Sequence, residues 1–353
     1  MTMATETISG RLYRARKQFG PEVRLSEPFP DKPPLWIEPL NDNLRSDFGA
    51  ARRWMSGHRE VIEQALLNFG AIAWRGFAVA SSEHFAGLLE TFEPFAQGYA
   101  GGTSDRKVVT GNVMEATRTP PEVTIPLHQE MSYMPSGPRL VAFYCRKPSL
   151  TGGETVICDM RGLLEALPAL LREKLTTLDV EYVRNMRSQA VDDWRAKAIY
   201  RHPTWQYRFE TEDPAVIEVL LNERGAQFEW HADGSLSFWT RVPGITTHPV
   251  TGDILYFNQM NSQVQHHLTI GEERAAAIDT AYGTTTPRAY SVRFSNGGVL
   301  SEAEFLAIHA AFEQRKIAFP WQAGDVMLLE NRLTAHGRNP FTGPRDVQVM
   351  LIQ

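Results

Sequence analysis

Cysteine is scarce in this sequence: Cys145 and Cys158 are the only two in 353 residues, and neither belongs to a CxxC pair. This scarcity argues against a disulfide framework and against a structural zinc ribbon. The chain also has no apolar stretch that approaches the roughly 20 residues of a membrane-spanning helix. We therefore expect neither a transmembrane segment nor a cysteine-based scaffold.

An excess of positive charge is missing too, since 36 Lys and Arg residues are outnumbered by 41 Asp and Glu residues, for a net charge of −5. Without a basic surface the chain has no general attraction to a phosphate backbone, so nucleic acid is not an expected partner. The first twenty residues carry charges and no apolar core, unlike a signal peptide. These absences together predict a soluble cytoplasmic protein.

Much of the sequence consists of short β-type segments separated by glycine-containing turns. The predicted strands are 107–113, 139–147, 154–159, 226–230, 235–242, 253–259, 325–331 and 345–352. Many short strands with few helices predict a mainly β fold, a sandwich or jelly roll carrying helical insertions, and not an alternating βαβ sheet. No GxGxxG or P-loop pattern occurs, which disfavours a nucleotide-binding fold.

Helical spacing of apolar residues is confined to a few segments. The predicted helices are 57–70, 82–92, 160–176, 214–224 and 301–315. The first of them begins near Ser56 and ends at Gly70, and a strand-like run follows at 71–77. Residues 1–35 are polar and weakly periodic, so we predict an extended arm with at most a short strand there.

Three His-x-Asp/Glu triplets occur, and at this composition the pattern is expected by chance, so the context must select among them. His58 and Glu60 lie in a predicted helix, where residues i and i+2 point to different faces. His231 and Asp233 could share one face of a strand. However, the pair Asp233-Gly234 predicts a hairpin turn, which explains the carboxylate without a metal. We interpret both triplets as unrelated to metal binding.

The third triplet, His128 and Glu130, lies in a segment bracketed by prolines that we predict to be extended, so both side chains project to one side. His336 ends a predicted strand, 325–336, and is the best candidate for a third ligand. Two histidines and one carboxylate leave three positions open on an octahedral metal, which is typical of iron(II) sites that bind a co-substrate and oxygen. Arg345 then offers a permanent charge for a carboxylate. On the residues alone, His336 and Arg345 are equally well explained as ordinary strand-end groups.

In these segments the chain resembles the taurine dioxygenase superfamily of iron(II)- and 2-oxoglutarate-dependent oxygenases, especially its clavaminate synthase-like branch. LHQEMSY is similar to the metal-binding strand of that branch, in which Glu replaces the commoner Asp. RLVAFYCRKPSLTGGETVICDMR resembles the block that follows, and WQAGDVMLLENRLTAHGRNPFTGPR resembles the distal histidine and arginine region. The resemblance spans roughly residues 60–353.

The resemblance implies a double-stranded β-helix, a cupin-like jelly roll with the metal at its open end, formed by residues 1–353 as a single domain. It implies His128, Glu130 and His336 as catalytic iron(II) ligands. The implied co-substrates are 2-oxoglutarate and oxygen. Glu130 argues against halogenation, since related halogenases carry a small residue there to admit chloride. Hydroxylation, desaturation, cyclisation and epoxidation stay open.

For the co-substrate, the resemblance implies that Arg345 binds the distal carboxylate of 2-oxoglutarate and that Thr155 adds a hydroxyl group. Arg338, two residues after the distal histidine, competes with Arg345 for this role. The long separation between Glu130 and the distal histidine suggests that residues 178–224 form a helical insertion over the pocket, a lid candidate by its position alone.

For the substrate, the resemblance implies a small amino-acid-like molecule, either free or tethered to a carrier protein in a natural-product pathway. Asn112, Tyr133 and Asn258 are candidates to contact it. The polar run NQMNSQVQHH at 258–267 either lines the mouth of the pocket or forms a solvated loop, and we favour the loop.

Two other classes of function use the same residues differently. One is a zinc hydrolase, or a cupin-type enzyme that does not need 2-oxoglutarate, with the same three ligands. The other is a non-catalytic binding protein on a jelly-roll frame. In the alternative enzyme Arg345 and the Gly-Gly-Glu-Thr segment would have no role. In the binding protein the metal constellation would be vestigial, although all three candidate ligands are present, so we favour the oxygenase.

Overall fold

The computed structural model describes residues 8–30, 32–96, 106–191, 202–283 and 287–353. Its helices, in chain order, are α1 (Ile8–Phe19), α2 (Asp42–Ser46), α3 (Phe48–Gly57), α4 (Arg59–Phe69), α5 (Ser82–Leu88), α6 (Ala169–Thr177), α7 (Trp205–Phe209), α8 (Pro214–Glu223), α9 (Met260–Gln263), α10 (His267–Ile270), α11 (Glu272–Tyr282) and α12 (Glu302–Arg315). Within these residues, no helix is both long and apolar enough to cross a membrane.

The strands are short, as the sequence predicts. They are β1 (Val23–Ser26), β2 (Leu35–Pro39), β3 (Ala71–Trp74), β4 (Val108–Thr110), β5 (Val113–Glu115), β6 (Ile125–His128), β7 (Leu140–Lys147), β8 (Thr151–Gly152), β9 (Thr155–Asp159), β10 (Asp179–Met186), β11 (Gln227–Trp230), β12 (Leu236–Pro243), β13 (Ile245–Thr247), β14 (Ile254–Tyr256), β15 (Tyr290–Phe294), β16 (Val326–Glu330), β17 (Thr334–Arg338), β18 (Phe341–Thr342) and β19 (Asp346–Ile352).

The largest sheet has eight strands in the order β1-β2-β3-β16-β7-β19-β5-β4. Strand β7 near its centre is buried on both faces. Its even-numbered side chains from Leu140 to Tyr144 pack in a cluster with α3, α4 and α5. Its odd-numbered side chains from Val141 to Cys145 belong to a second cluster on the opposite face. This alternation follows from the two-residue period of a strand, and it explains why the run is almost continuously apolar.

A three-stranded sheet, β6-β17-β9, lies on that opposite face of the large sheet. Ile157 of β9 belongs to the cluster with Phe143 of β7, so the two sheets face each other across a shared core. The ring of His336 on β17 also lies against Phe143, at 5.1 Å between centroids. The architecture is the jelly roll predicted from the sequence, and the space between its sheets contains the distal histidine.

Most predicted strands are confirmed, but two differ in detail. The segment 107–113 forms a hairpin of β4 and β5, with Gly111 at φ +52° in the turn. The segment 325–336 is not one strand, because a turn separates β16 from β17. His336 therefore lies in the middle of a strand and not at its end.

The prediction that residues 1–35 form an extended arm is wrong. Residues 8–19 form helix α1, and β1 and β2 pair antiparallel after it. Leu12, Ala15 and Phe19 lie on one face of α1, and the two last are buried. Most of the other residues of the helix are charged or polar, so its apolar stripe is too narrow to be recognised before its partner surface is known. Helix α4 likewise starts at Arg59 directly after α3, and Ser56 does not cap it.

The prediction of a helical insertion at 178–224 is wrong in its first part. Residues 179–186 form β10, which lies between β12 and β15 in a four-stranded sheet. Its partner strands come from residues 236–243 and 290–294, which lie far away along the chain. Helices α7 and α8 occupy the second part, whereas 192–201 lie outside the described residues. The lid role stays a prediction.

Candidate metal centre

His128, Glu130 and His336 come together in the fold. One ligand atom from each lies within 4.8 Å of the other two. The distance from His336 Nε2 to Glu130 Oε2 is 3.5 Å. His128 on β6 is the direct register partner of His336 on β17, so antiparallel pairing places both imidazoles on one face. Of the described residues, this is the one cluster of histidine, cysteine and carboxylate groups with metal-binding geometry.

The proximal imidazole is oriented by the backbone. His128 Nδ1 lies 2.8 Å from the carbonyl oxygen of Pro126. A carbonyl only accepts hydrogen bonds, so Nδ1 donates and Nε2 is left with its lone pair for a metal. Burial and, to a smaller extent, the nearby His336 together lower the pKa of His128 to about 4, so the ring is neutral near pH 7.

The distal imidazole is held in a drier setting. His336 is 5% exposed, and within the described part of the chain its buried Nδ1 has no hydrogen-bond partner. Its Nε2 points towards the Glu130 carboxylate. Two imidazoles and a carboxylate, converging in a buried setting, are a donor set that fits iron(II).

The carboxylate of the triad is paired with a residue that the sequence did not point to. Arg106 Nη2 donates a hydrogen bond of 2.9 Å to Glu130 Oε2, and the two side chains are 7% and 2% exposed. Burial by itself would raise the pKa of Glu130, but Arg106 and His336 reverse this and hold it well below its usual range. Glu130 is therefore ionised and ready to act as a ligand.

A cavity of about 160 Å³ adjoins the triad. Its lining residues are Ile125, Pro126, His128, Glu130, Tyr133, Gln259, Ser262 and Gln263. Tyr133, a predicted substrate contact, thus lies beside His128 and Glu130. The polar run at 258–267 is not simply a solvated loop, because three of its side chains line this cavity and Asn261 is buried. The preference for a solvated loop was wrong for this part of the run.

Side-chain amides fix the backbone that carries the ligands. Gln259 Nε2 donates to the carbonyl of Gln129 at 2.7 Å, and Asn261 Nδ2 donates to the carbonyl of Leu127 at 2.7 Å. Asn331 accepts a hydrogen bond of 2.7 Å from Glu130 N and donates one of 2.9 Å to Glu130 O. These hydrogen bonds satisfy buried backbone groups of β6 and of the residues that follow it. The amide side chains therefore have a structural role that the ligand motif alone does not reveal.

Arg345 and Thr155 also come together. Arg345 Nη2 lies 3.5 Å from Thr155 Oγ1, and Arg345 Nε donates to the carbonyl of Gly153 at 2.9 Å. Trp321 Nε1 donates to the same hydroxyl at 3.1 Å. Burial, together with the nearby charge of Arg338, lowers the pKa of Arg345 to about 10. Both side-chain hydrogen bonds of this half-buried cation end on neutral oxygens, so it is suited to receive an anion.

The second glycine of the Gly-Gly-Glu-Thr segment, Gly153, occupies a position that only glycine can fill. It has φ +73°, and a Cβ there would lie 2.5 Å from Ser149 Oγ and 3.1 Å from Arg345 Cδ. Only glycine permits this backbone conformation and the close passage of the arginine side chain.

The other predicted cofactor and substrate residues are placed less favourably. The guanidinium of Arg338 donates to three carbonyl oxygens, those of Thr119, Pro120 and Val123. Asn258 is fully buried and bonds the backbone of Gly244 and Met260, so it shapes the loop and does not line the cavity. Asn112 lies in the β4–β5 turn and is likewise absent from the cavity lining.

Both rejected triplets have structural explanations. His58 Nδ1 donates to the carbonyl of Trp54 at 2.7 Å, and its ring stacks on that indole. His231 contacts Ser237, and Asp233 accepts from the backbone and hydroxyl of Ser235 in the turn between β11 and β12. In the described residues, neither triplet contributes to a group of side chains with metal-binding geometry.

Comparison with known proteins matches residues 37–351 to the model of the taurine catabolism dioxygenase TauD, TfdA family. The dapdiamide synthesis protein DdaC of Enterobacter agglomerans is 27% identical over 82% of this chain and 84% of its own length. A clavaminate synthase-like protein of Arabidopsis thaliana is 29% identical over 83% and 84%.

Among solved structures, similarity extends to PvcB of Pseudomonas aeruginosa, an iron- and α-ketoglutarate-dependent oxygenase from an isonitrile synthetic pathway. The two share a TM-score of 0.51 and 15% identity, over 94% of this chain and 92% of the other, which supports the common fold. The match to the family model spans nearly the whole jelly roll and includes all three residues of the triad. The chain therefore belongs to the TauD/TfdA family and is an oxygenase that depends on iron(II) and 2-oxoglutarate.

Proposed function

We propose that this enzyme oxidises an unactivated C–H bond of an amino acid or an amino-acid-derived intermediate in natural-product synthesis. In this proposal His128, Glu130 and His336 are the iron ligands. The observation that carries it is the convergence of their ligand atoms within 4.8 Å beside a cavity lined by the side chains of Tyr133 and Gln263. Hydroxylation is the simplest outcome in such a site.

Arg345 and Thr155 are proposed to bind the distal carboxylate of 2-oxoglutarate. The guanidinium and the hydroxyl already lie side by side, and no carboxylate of the described chain accepts a hydrogen bond from Arg345. Arg338 is a poorer candidate because three carbonyl oxygens engage its guanidinium. When bound, iron(II), 2-oxoglutarate and oxygen together supply the oxidising power, with succinate and carbon dioxide as co-products.

The protein's own contribution is orientation and exclusion of water. The carbonyl of Pro126 fixes which nitrogen of His128 faces the metal. Tyr133, Gln259, Ser262 and Gln263 surround the remaining space with hydroxyl and amide groups. Such groups suit a substrate with peptide-like or carboxyl functions, because they both donate and accept hydrogen bonds.

The relatives support an amino-acid-derived substrate. One is named for dapdiamide synthesis, and the similar solved structure belongs to an isonitrile synthetic pathway. The proposal has two forms: in one the substrate is a free small molecule, and in the other it is attached to a carrier protein. The family assignment favours the oxygenase over a zinc hydrolase and over a non-catalytic jelly-roll protein.

The test is succinate formation by anaerobically prepared protein that then receives iron(II), 2-oxoglutarate and oxygen. A panel of free amino acids and amides, and the same groups as carrier-protein thioesters, is added in separate arms. We expect one arm to stimulate succinate and to yield a product heavier by one oxygen atom. Stimulation by the thioester arm alone would assign a tethered substrate.

Matched variants locate the site. His128→Ala should abolish succinate formation, whereas His231→Ala, which alters the rejected triplet, should leave it unchanged. Arg345→Ala should raise the KM for 2-oxoglutarate roughly 10- to 100-fold, because a charge-assisted hydrogen-bond pair is lost. Loss of activity in the His231 variant, with retention in the His128 variant, would contradict the proposed ligand set.

A further inference from the structure

Two amide side chains, those of Gln259 and Gln263, form part of the wall of the cavity beside His128 and Glu130. Gln259 is 4% exposed, and its Nε2 donates a hydrogen bond of 2.7 Å to the carbonyl of Gln129, between the two proposed ligands. Gln263 Nε2 donates to Gln259 Oε1 at 3.3 Å. The second amide is therefore oriented by the first, which is itself fixed to the ligand segment.

A positive charge supports this wall from β10. Arg184 Nη2 donates to Gln263 Oε1 at 3.5 Å, and Arg184 Nη1 donates to the carbonyl of Val183 at 3.1 Å. The guanidinium also lies over the ring of Tyr290, 5.0 Å from its centroid. The cation thus contacts the oxygen end of the Gln263 amide. Hydrogen bonds in such a chain polarise one another, so the N–H groups at the other end of this amide become better donors.

The hydrogen bonds within the described part of the chain leave donors on both amides. A glutamine side chain has two N–H donors and one carbonyl oxygen. The oxygen of Gln263 accepts from Arg184, and the oxygen of Gln259 accepts from Gln263, so each oxygen already has a donor. Each nitrogen donates one of these hydrogen bonds and keeps a second N–H. The pair can therefore donate two hydrogen bonds to a bound molecule.

The charges around the cavity favour an anion over a cation at this wall. Among the described residues that line it, Glu130 is the one carboxylate, and it is already paired with Arg106. An ammonium group would find no other carboxylate in the lining, and burying an unpaired charge is costly. A carboxylate would accept hydrogen bonds from amides that an arginine supports, and charge-assisted hydrogen bonds are roughly twice as strong as neutral ones.

We propose that Gln263 is a specificity-determining residue, which together with Gln259 binds a carboxylate group of the substrate, with the charge of Arg184 in support. This inference deepens the proposed function and rests on it, because the cavity receives the substrate only if the metal is held by the three proposed ligands. A carboxylate anchored here restricts how the rest of the substrate lies against the metal, and such orientation selects one C–H bond among several.

The experiment detects small molecules that bind close to the metal, by NMR line broadening on the full-length protein. The protein is loaded with paramagnetic Mn(II) in place of iron and is saturated with 2-oxoglutarate. The probes are the standard amino acids and, for each, the carboxamide that replaces its α-carboxylate; the pairs aspartate–asparagine and glutamate–glutamine test a side-chain carboxylate. We expect at least one acid to bind at least about tenfold more tightly than its amide.

Variants of the wall assign that preference to Gln263. Gln263→Glu keeps the size but replaces the donors with an anion, and it should weaken binding of the acid at least about tenfold. Gln263→Met removes the donors without adding a charge, should also abolish the preference, and supplies the measurement if the glutamate variant fails to fold. Affinities for Mn(II) and 2-oxoglutarate should stay unchanged in both. Gln227→Glu, the same substitution at an exposed position on β11, is the matched control and should leave binding of the acid unchanged.

Three results would overturn the inference: no acid is broadened, acid and amide bind equally, or both Gln263 variants keep the preference. Failure of the proposed function is recognised separately. His128→Ala should abolish tight Mn(II) binding, and if it does not, the ligand set is wrong. An acid that binds with the expected preference but does not stimulate succinate formation by the iron(II) enzyme would contradict the proposed oxidation and leave the carboxylate site in place.

Discussion

At the scale of single residues, side-chain amides fix the backbone of the segment that carries the proposed iron ligands. Asn331 is 1% exposed and contacts the backbone of Glu130 through both its oxygen and its nitrogen, and it also donates to the carbonyl of Pro138. Glu130 is followed by Met131 at φ +55°, so the chain turns sharply just after the ligand. A side-chain amide that bonds both sides of this turn fixes the direction in which the carboxylate leaves the backbone.

Asn331→Ala is therefore expected to weaken metal binding even though residue 331 is not a ligand. Loss of groups that orient metal ligands typically costs about 10- to 100-fold in metal affinity. Mn(II) titration of the variant and the wild type measures this ratio. Asn258→Ala is the matched control, because Asn258 is an equally buried amide that bonds Gly244 and Met260 away from the ligands. Equal losses of Mn(II) affinity in the two variants would show that the Asn331 effect is only a loss of stability.

At the scale of elements, the four-stranded sheet that contains β10 is aligned by a cluster of charges. Glu181 on β10 is the register partner of Arg241 on β12 and of Arg293 on β15. Its carboxylate is 4% exposed and forms ion pairs with both guanidinium groups. A slip of either neighbour by one residue would leave this carboxylate unpaired and would move its apolar neighbours to the wrong face. On the opposite face, Tyr182 packs into the core beside the metal centre.

Glu181→Gln should lower the free energy of unfolding by about 1–3 kcal/mol, since it leaves the two flanking arginines without their shared counter-charge. Urea denaturation measures this difference. Glu229→Gln, the same substitution at an exposed carboxylate on β11 of the same sheet, should change stability by less than about 0.5 kcal/mol. Similar values for the two variants would mean that the paired charges do not stabilise the sheet.

At the scale of the whole molecule, the described residues pack in separate apolar clusters on either side of the sheets. Cys145 lies in the cluster between the two facing sheets, and Cys158 lies in the cluster beneath the four-stranded sheet. Both thiols are free and buried, and burial raises the pKa of each to about 12. The two side chains therefore report on whether these parts of the molecule open together or separately.

In mildly alkaline buffer we expect neither thiol to be alkylated until the protein unfolds, because neither is accessible nor ionised. Mass spectrometry of iodoacetamide-treated protein over a urea series provides the measurement. The pKa of each thiol in the folded protein lies above its ordinary value of 9, because burial favours the neutral thiol. The contribution of these neutral thiols to the free energy of unfolding is therefore complete below pH 9, and it declines as the pH rises towards 12.

The double variant Cys145→Ala, Cys158→Ala should therefore lose less stability than the wild type over that alkaline interval. Rapid alkylation of one cysteine in the absence of urea would show instead that its cluster opens independently of the rest of the protein.

The sequence by itself determined the β-rich class, the positions of most strands and the selection of His128 and Glu130 as proposed iron ligands. Each of these depends on a short segment. Apolar alternation marks a strand wherever it pairs, and a His-x-Glu pattern in an extended segment places both side chains on one side. The Asp233-Gly234 turn was recognised for the same reason, because turn formation requires only neighbouring residues.

Only the tertiary structure decided the features that join distant segments. Arg106 meets Glu130, Asn331 meets the ligand strand, and β10 finds both of its partner strands only after the chain has folded. Helix α1 is another feature that joins distant segments. Its narrow apolar face can be recognised only when its packing partner is known, as in the contact of Phe19 with Trp54. A polar side chain has many partners that would satisfy it, and its local sequence does not specify which one the fold brings within hydrogen-bonding distance.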